Sequence, residues 1–290
     1  MQHLKINLPA KIKLSESLVL EGDSLNILRM LPSNSVQCVI TSPPYWGLRD
    51  YNIKGQIGLE SSLQEFINHL VGIFNELKRV LRDDGTLWLN IGDGYTSGNR
   101  GYRASDKKNP ARAMSLRPNT PEGLKPKDLQ GIPWRLAFAL QDDGWYLRSD
   151  IIWNKPNAQP ESVKDRPTKS HEYLFMLTKA EQYYYNYEAS KEIGLNGNHR
   201  NRRTVWNINT QSFSDAHFAT FPTTLAEPCV FISSKPGDFV LDPFFGSGTV
   251  GVVCAKNDRH YVGIELNPEY VDIAARRLGL AENNIMKVAV

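Results

Sequence analysis

The chain has 290 residues, enough for one sizeable α/β core or a core with a small recognition lobe. Its 41% hydrophobic and 22% charged residues are those of an ordinary globular protein. No run of 18 apolar residues and no apolar leader after Met1 points to a membrane span or export, so a cytoplasmic setting is expected. A net charge of +3 permits a nucleic-acid partner without requiring one. Cys38, Cys229 and Cys254 are scattered through apolar runs and read as reduced core thiols, so neither a disulfide nor a metal is expected.

Strand and helix signals alternate along the chain without repeats, which predicts a parallel sheet wrapped by helices in one domain spanning 1–290. A strand over 18–21 leads through Gly22-Asp23 into a helix over 25–31. Val36 to Ile40 is a short buried strand that delivers Thr41-Ser42-Pro43-Pro44-Tyr45-Trp46 at its carboxyl end. Phe66, Leu70, Ile73, Phe74, Leu77, Val80 and Leu81 share a helical face, and Asp83-Asp84-Gly85 is expected to stop that helix before a strand over 86–91. A helix over 132–140 and a hairpin pair of strands over 145–153 and 173–178 come next. A helix over 225–233, a strand over 239–241, a Gly-rich turn, a helix over 249–256, a strand over 261–265 and a helix over 268–278 complete the chain.

Two stretches break this rhythm. Residues 95–130 carry eight Lys or Arg against three acids, in a Gly- and Pro-punctuated loop longer than compact domains usually hold. It reads either as a solvated excursion or as an arm whose Arg100, Arg103, Lys107, Lys108 and Arg112 meet phosphates. Residues 183–215 combine Tyr183, Tyr184, Tyr185 and Tyr187 with Arg200, Arg202, Arg203 and Trp206. They read either as a surface lobe or as a region that contacts bases and phosphates.

Ser42-Pro43-Pro44-Tyr45 has a chemical reading beside that of a plain strand terminator. An exocyclic amine on a nucleobase has its lone pair delocalised into the ring, and acceptors aimed at its N–H bonds draw it toward a nucleophilic geometry. Consecutive prolines stiffen the backbone and lack N–H groups, so the Pro43 carbonyl is presented beside the Ser42 hydroxyl, while Tyr45 offers a flat face for a base swung out of a duplex. Asp242-Pro243-Phe244-Phe245-Gly246-Ser247-Gly248-Thr249 is a strand end entering a helix through glycines, with Glu265 at the end of the next strand to accept ribose hydroxyls. Gly251 extends this to G-x-G-x-x-G, so the spacing alone leaves a dinucleotide open.

The two motifs together resemble those of the amino-group DNA methyltransferases that use S-adenosyl-L-methionine, and the resemblance covers nearly the whole chain. It implies a Rossmann-like fold with a mostly parallel seven-stranded sheet. Its order, catalytic motif first and donor motif last, is similar to the circularly permuted β group. The resemblance implies catalytic roles for Ser42, Pro43, Pro44 and Tyr45. It implies donor contacts from Asp242, Phe244, Gly246, Ser247, Gly248 and Thr249, from Glu265, Leu266 and Asn267, from Phe221, Thr223 and Thr224, and from Asp23. It also implies that 183–215 is the target-recognition region, that duplex DNA is the partner and that a cognate restriction endonuclease is a candidate functional partner.

Ser42, with Lys155-Pro156-Asn157 and His171-Glu172-Tyr173, is similar to the cytosine-N4 branch. Adenine N6 is the alternative, and a non-catalytic DNA-binding module the rival class. Pro228-Cys229 looks like the nucleophile of carbon-5 methyltransferases but sits in an apolar run that reads as core. His171 and Glu172 fit either acid/base work or a salt-bridging turn.

Overall fold

The computed structural model describes residues 11–97, 118–194, 196–211, 221–280 and 285–288. In chain order the elements are β1 (Leu18–Glu21), α1 (Ser24–Met30), β2 (Val36–Thr41), α2 (Leu63–Val80), β3 (Leu81–Ile91) and α3 (Ile132–Asp142). Then come β4 (Tyr146–Asn154), β5 (His171–Thr178), β6 (Lys191–Ile193), β7 (His199–Asn201), β8 (Val205–Asn207) and α4 (Thr223–Ser233). The last five are β9 (Phe239–Asp242), α5 (Thr249–Lys256), β10 (His260–Glu265), α6 (Pro268–Leu278) and β11 (Ile285–Lys287).

One sheet runs β11-β1-β10-β9-β2-β3-β5-β4-β8, and β6 pairs with β7 apart from it. All neighbours in the large sheet are parallel except those of β5, which runs antiparallel to β3 and β4. The expected seven-stranded sheet is therefore widened to nine. The extra edges β8 and β11 are three residues each, too short for any periodicity to announce them.

Alternation along each strand divides the core. Leu20, Val39, Leu87, Leu89, Leu241, Val262 and Ile264 pack with α1, α2 and α3 on one face. Val19, Cys38, Ile40, Trp88 and Val240 pack with α4, α5 and α6 on the other. Successive side chains of a strand point to opposite faces, so a sheet buried on both sides reads as a nearly continuous apolar run such as Val36-Gln37-Cys38-Val39-Ile40, in which Gln37 alone is polar.

The helix bounds follow local chemistry. Ser62 caps α2 by accepting the Glu65 N–H at 3.2 Å, and the Glu65 carboxylate reaches back to the Ser61 N–H, a reciprocal cap. The helix ends at Val80, short of the predicted stop at Asp83, because Leu81 turns extended and pairs with Val36 of β2. Asn267 caps α6, with Pro268 as its first residue, and left-handed Gly279 ends it. None of the described helices is long and apolar enough to cross a membrane.

Candidate active site

Because β1, β10, β9 and β2 are parallel, their carboxyl ends lie on one edge, where ligands of open α/β sheets bind. Thr41 and Asp242 end neighbouring strands, and the Thr41 hydroxyl donates to Asp242 Oδ1 at 2.7 Å. The Phe244 N–H donates to the same oxygen at 3.0 Å. Burial pushes the Asp242 carboxyl up to about 7, against the lowering effect of these two donors. Asp242 thus joins the Gly-rich turn to the strand that carries Ser42.

The turn itself is built around Phe245. Its ring stacks on Tyr261 with centroids 6.0 Å apart, and it fills the places where side chains at Gly251 and Gly263 would stand. A Cβ on Gly263 would meet the ring at 2.4 Å and one on Gly251 at 2.7 Å. The third glycine of the G-x-G-x-x-G spacing therefore admits a phenylalanine ring, so its role is close packing between the helix and the sheet. Gly246 and Gly248 have φ of +50° and +79°, and a Cβ on Gly246 would meet nothing within 4 Å, so the backbone there is open to a ligand.

Glu265 closes this turn. Its carboxylate accepts the Gly246 N–H at 2.7 Å and the Asn267 N–H at 2.8 Å, and burial raises its pKa despite those donors. Leu266 follows it, and Asn267 caps α6. The Ser247 and Thr249 hydroxyls accept from Arg277 at 3.0 and 3.1 Å, and Arg277 also binds the Ser247 carbonyl at 3.1 Å. Both hydroxyls are thus engaged by the protein, and they help pin the turn to α6. Asp23 caps α1 through the Asn26 N–H at 2.9 Å, and the Ser24 hydroxyl donates to the Pro243 carbonyl at 2.5 Å, which holds the β1 turn against the β9 turn. Phe221 packs on the second core, and Thr223 and Thr224 open α4, which lies against α5 and β2.

Beyond β2, Ser42 is half-buried and Pro43 buried. The Tyr45 hydroxyl donates to Glu172 Oε2 at 2.8 Å, and its ring edge occupies the place of a Cβ on Gly92, 2.7 Å away. Glu172 Oε1 accepts from Lys155 at 2.5 Å. Burial alone would raise the Glu172 carboxyl, but Lys155, the Tyr45 hydroxyl and Lys169 together hold it below the usual carboxylate value. Burial and the adjacent Glu172 charge push the Tyr45 phenol well up. Glu172 directly follows His171 at the start of β5, so the salt-bridging arrangement is found on a strand instead of a turn.

The basic stretch is closed at its base. Tyr95 bridges Leu129, the Thr96 N–H donates to Asp128 and the Gln130 N–H to Gly94, both at 2.9 Å. Asp93 caps α3 from outside by accepting the Gly131 and Ile132 N–H groups at 3.0 and 3.2 Å. Pro118 lies where a Cβ on Gly47 would stand, so the returning end of the loop rests on the segment that follows Tyr45. Arg100, Arg103, Lys107, Lys108 and Arg112 lie outside the described residues.

The 183–215 stretch divides in two. Tyr184 donates its N–H to the Asp84 carbonyl and Asn186 to the Ile232 carbonyl, at the end of the sheet remote from Ser42. Tyr183, Tyr184 and Tyr187 are faced by Arg148, Lys235 and Lys191. Tyr183 and Tyr184 are half-buried, and Tyr187 is exposed. The later part returns along β4, where β8 brings Asn207 beside Asn154 at 2.7 Å. Here Arg200 pairs with Glu192 at 2.9 Å, Arg202 lies 5.1 Å over the Trp206 ring and Arg203 is exposed. They line a cavity of about 860 Å³ with Asn207 and Ile208.

Known proteins resemble this chain in sequence and in fold. The family profile described as DNA methylase matches residues 36–276. The chain is 70% identical over 285 residues to the Type II methyltransferase M.Cfr9I of Citrobacter freundii, covering 98% of this chain and 95% of that one. It is 60% identical over 262 residues to the Type II methyltransferase M.SmaI of Serratia marcescens, covering 90% of each.

The chain belongs to the DNA methylase family.

The methylase fold is also that of the PvuII DNA methyltransferase (cytosine-N4-specific), with a TM-score of 0.69 at 22% identity over 95% of this chain and 90% of that one. A putative DNA modification methylase of Thermus thermophilus, solved in complex with S-adenosyl-L-methionine, superposes with a TM-score of 0.65 at 23% identity over 94% and 99%. At such identities the likeness is one of Rossmann-like fold. Family membership bears out the resemblance drawn from the two motifs.

Several residues around the candidate site are not announced by the sequence. Gly92, Asp93, Lys169 and Arg277 act across long separations and sit in no local pattern that assigns them a role, and Lys155 is marked only by a stretch similar to the cytosine-N4 branch. The Pro228-Cys229 decoy resolves as core: Cys229 is buried in α4, its thiol donates to the Leu225 carbonyl at 3.3 Å, and burial raises it far above a reactive value. Cys38 and Cys254 are likewise buried and free.

Proposed function

We propose that this methylase transfers a methyl group from S-adenosyl-L-methionine to the N4 amine of a cytosine swung out of duplex DNA. The observation that carries the reading is the Thr41 to Asp242 hydrogen bond, which sets the amine motif and the open glycine turn side by side. The residues fit the donor: Gly246 has open space where a side chain would stand, and Glu265 offers a carboxylate at the adjoining strand end for ribose hydroxyls. Asp242, Phe244, Gly248, Leu266 and Asn267 would flank the nucleoside with Asp23, while Phe221, Thr223 and Thr224 would face the methionine end. Ser247 and Thr249 would contribute through the shape of the turn. When bound, the donor supplies an electrophilic methyl group on a cationic sulfur.

The chain's own part is alignment. The Ser42 hydroxyl and the Pro43 carbonyl would accept from the amine and direct its lone pair, and the Tyr45 face would support the base. Holding reactants in line accounts for much of such an acceleration. Arg200, Arg202, Arg203 and the basic residues of 95–130 would meet the duplex. Cytosine is favoured over adenine by Ser42, by the resemblance to the cytosine-N4 branch and by the specificity stated for the PvuII enzyme of like fold. A cognate restriction endonuclease is the functional partner this reading implies, supported by the Type II designation of the relatives.

Nucleoside mass spectrometry of DNA from cells expressing the protein, beside a Ser42→Ala control, tests the reading. N4-methylcytosine is expected with the intact chain alone. N6-methyladenine would overturn the base assignment, and no modified base would overturn the enzyme assignment.

A further inference from the structure

Glu172 belongs to neither motif, yet its carboxylate is the hub of the polar contacts behind Tyr45. One oxygen takes the Tyr45 hydroxyl at 2.8 Å and the other the Lys155 ammonium at 2.5 Å. The side chains of Lys155 and Glu172 are only 16% and 17% exposed, so the pair is largely withdrawn from water. Lys155 also lies 4.1 Å from the centroid of the Trp153 ring, whose N–H is fastened to the Ile208 carbonyl at 2.8 Å. Lys169 adds a second positive charge near the carboxylate and is itself bound to the Asp93 carbonyl. On the far side, the ring edge of Tyr45 rests where only a glycine, Gly92, leaves space.

We infer that Glu172 is a positioning residue for methyl transfer: anchored by Lys155, it grips the Tyr45 hydroxyl so that the ring is fixed in the amine site before a base arrives. The inference rests on the proposed function and deepens it. A flat face for a base needs no hydroxyl, since a phenylalanine offers the same face. The hydroxyl is explained by the anchor. A buried ion pair is often no more stabilising than apolar side chains of the same size, so stability alone is a weak reason for the Lys155 to Glu172 pair. A ring held at two sides need not be ordered at each turnover, which is how a positioned group raises kcat.

The test is a double-mutant cycle on the full chain with duplex DNA, using Tyr45→Phe, Glu172→Ala and the two combined, with Glu172→Gln as the conservative variant. Each single change is expected to lower kcat about tenfold while KM for the donor moves less than about twofold, the size expected for one hydrogen bond to a charged group. The combined variant is expected to be no slower than the slower single one, and Glu172→Gln to recover part of the rate because its amide oxygen still accepts the hydroxyl. Losses that multiply in the combined variant, or that fall on KM for the donor, would overturn the inference. Thermal melting checks folding; if Glu172→Ala does not fold, the cycle is run with Glu172→Gln and the same two patterns decide. Rates are compared with the parent on whichever base a nucleoside digest identifies, so a wrong base assignment leaves this test intact. A parent that transfers no methyl group overturns both readings.

Discussion

Thr41 and Asp242 stand 201 residues apart in the chain and 2.7 Å apart at the site, with the hydroxyl of one donating to the carboxylate of the other. Both side chains are buried, so the bond is shielded from water. Replacing Thr41 with Val keeps the shape and removes the donor. It leaves Asp242 with the Phe244 N–H alone on that oxygen. The expected cost is about 1–3 kcal/mol of stability, that of a buried acceptor deprived of a partner. Equilibrium denaturation reads this loss, and a Thr41→Ser control that keeps the hydroxyl should retain most of the parent's stability. Equal stability of the Val and Ser variants would count against the bond.

The Asp242 carboxyl titrates at about 7 in the folded chain against an ordinary 3.8. A raised pKa means that the folded state binds the proton more tightly than the unfolded state does. The contribution of Asp242 is therefore fully present below about pH 4 and is lost as pH rises to about 7, where it levels off. Asp242→Asn cannot titrate and still offers an acceptor to Thr41 and Phe244. Its stability relative to the parent should climb between pH 4 and pH 7, by no more than about 4 kcal/mol for a shift of this size. Melting curves at four or five pH values measure the difference. A difference that stays flat with pH would show that folding leaves the Asp242 pKa unshifted.

Much of this site is legible in the amino-acid sequence. Ser42 to Tyr45 and Asp242 to Thr249 stand out as adjacent prolines after an apolar strand and as glycines where a strand enters a helix, and their resemblance to the amino-group DNA methyltransferase motifs is what assigns them roles. Glu172 stands out as part of a stretch similar to the cytosine-N4 branch and as a group that fits either acid/base work or a salt bridge. Its partner Tyr45 lies 127 positions away, and nothing local in His171-Glu172-Tyr173 says which hydroxyl it will meet. Arg277 is similarly silent, one of two arginines in the last turn of a helix until Ser247 is brought under it. Gly251 misleads by its spacing, since the ring that requires it belongs to Phe245, six residues earlier. The tyrosine cluster reads equally as surface lobe or base contact in the sequence, because spacing does not show that Arg148, Lys235 and Lys191 will lie over Tyr183, Tyr184 and Tyr187.

Gly263 gives the sharpest packing prediction. A methyl group there would lie 2.4 Å from the Phe245 ring, which is itself wedged against Gly251 and Tyr261. Gly263→Ala must therefore displace the ring and with it the turn that begins at Phe245. Overpacking of this kind costs about 1–3 kcal/mol. Combining it with Phe245→Leu should return part of the loss, because the smaller side chain frees the slot. Chemical denaturation of the single and double variants tests the pair, and purely additive losses would show that the two side chains do not compete for one space.

Arg277 ties the turn to α6 by three contacts from one nitrogen, to the Ser247 carbonyl, the Ser247 hydroxyl and the Thr249 hydroxyl. Those hydroxyls belong to the segment that would seat the donor, so loosening them should weaken donor binding. Arg277→Ala is expected to raise the donor Kd about tenfold, the equivalent of one good hydrogen bond to a charged group. Isothermal titration with S-adenosyl-L-methionine reads it without any turnover. An unchanged Kd would mean that the turn keeps its shape without the arginine.

Arg203 differs from its neighbours in what it already touches. Arg200 is paired with Glu192, and Arg202 is spread over Trp206, whereas Arg203 is exposed on the same cavity. An exposed arginine meeting a phosphate releases a counterion and carries no sequence information of its own. Arg203→Ala should then weaken binding to cognate and unrelated duplexes by the same factor and flatten the salt dependence by about one counterion. Arg202→Ala should behave differently, because its contact with Trp206 shapes the lobe, and discrimination between duplexes should suffer along with affinity. Fluorescence anisotropy across a salt series measures both. If Arg203→Ala instead erased the preference for the cognate duplex and left the salt slope alone, the residue would be reading a base edge.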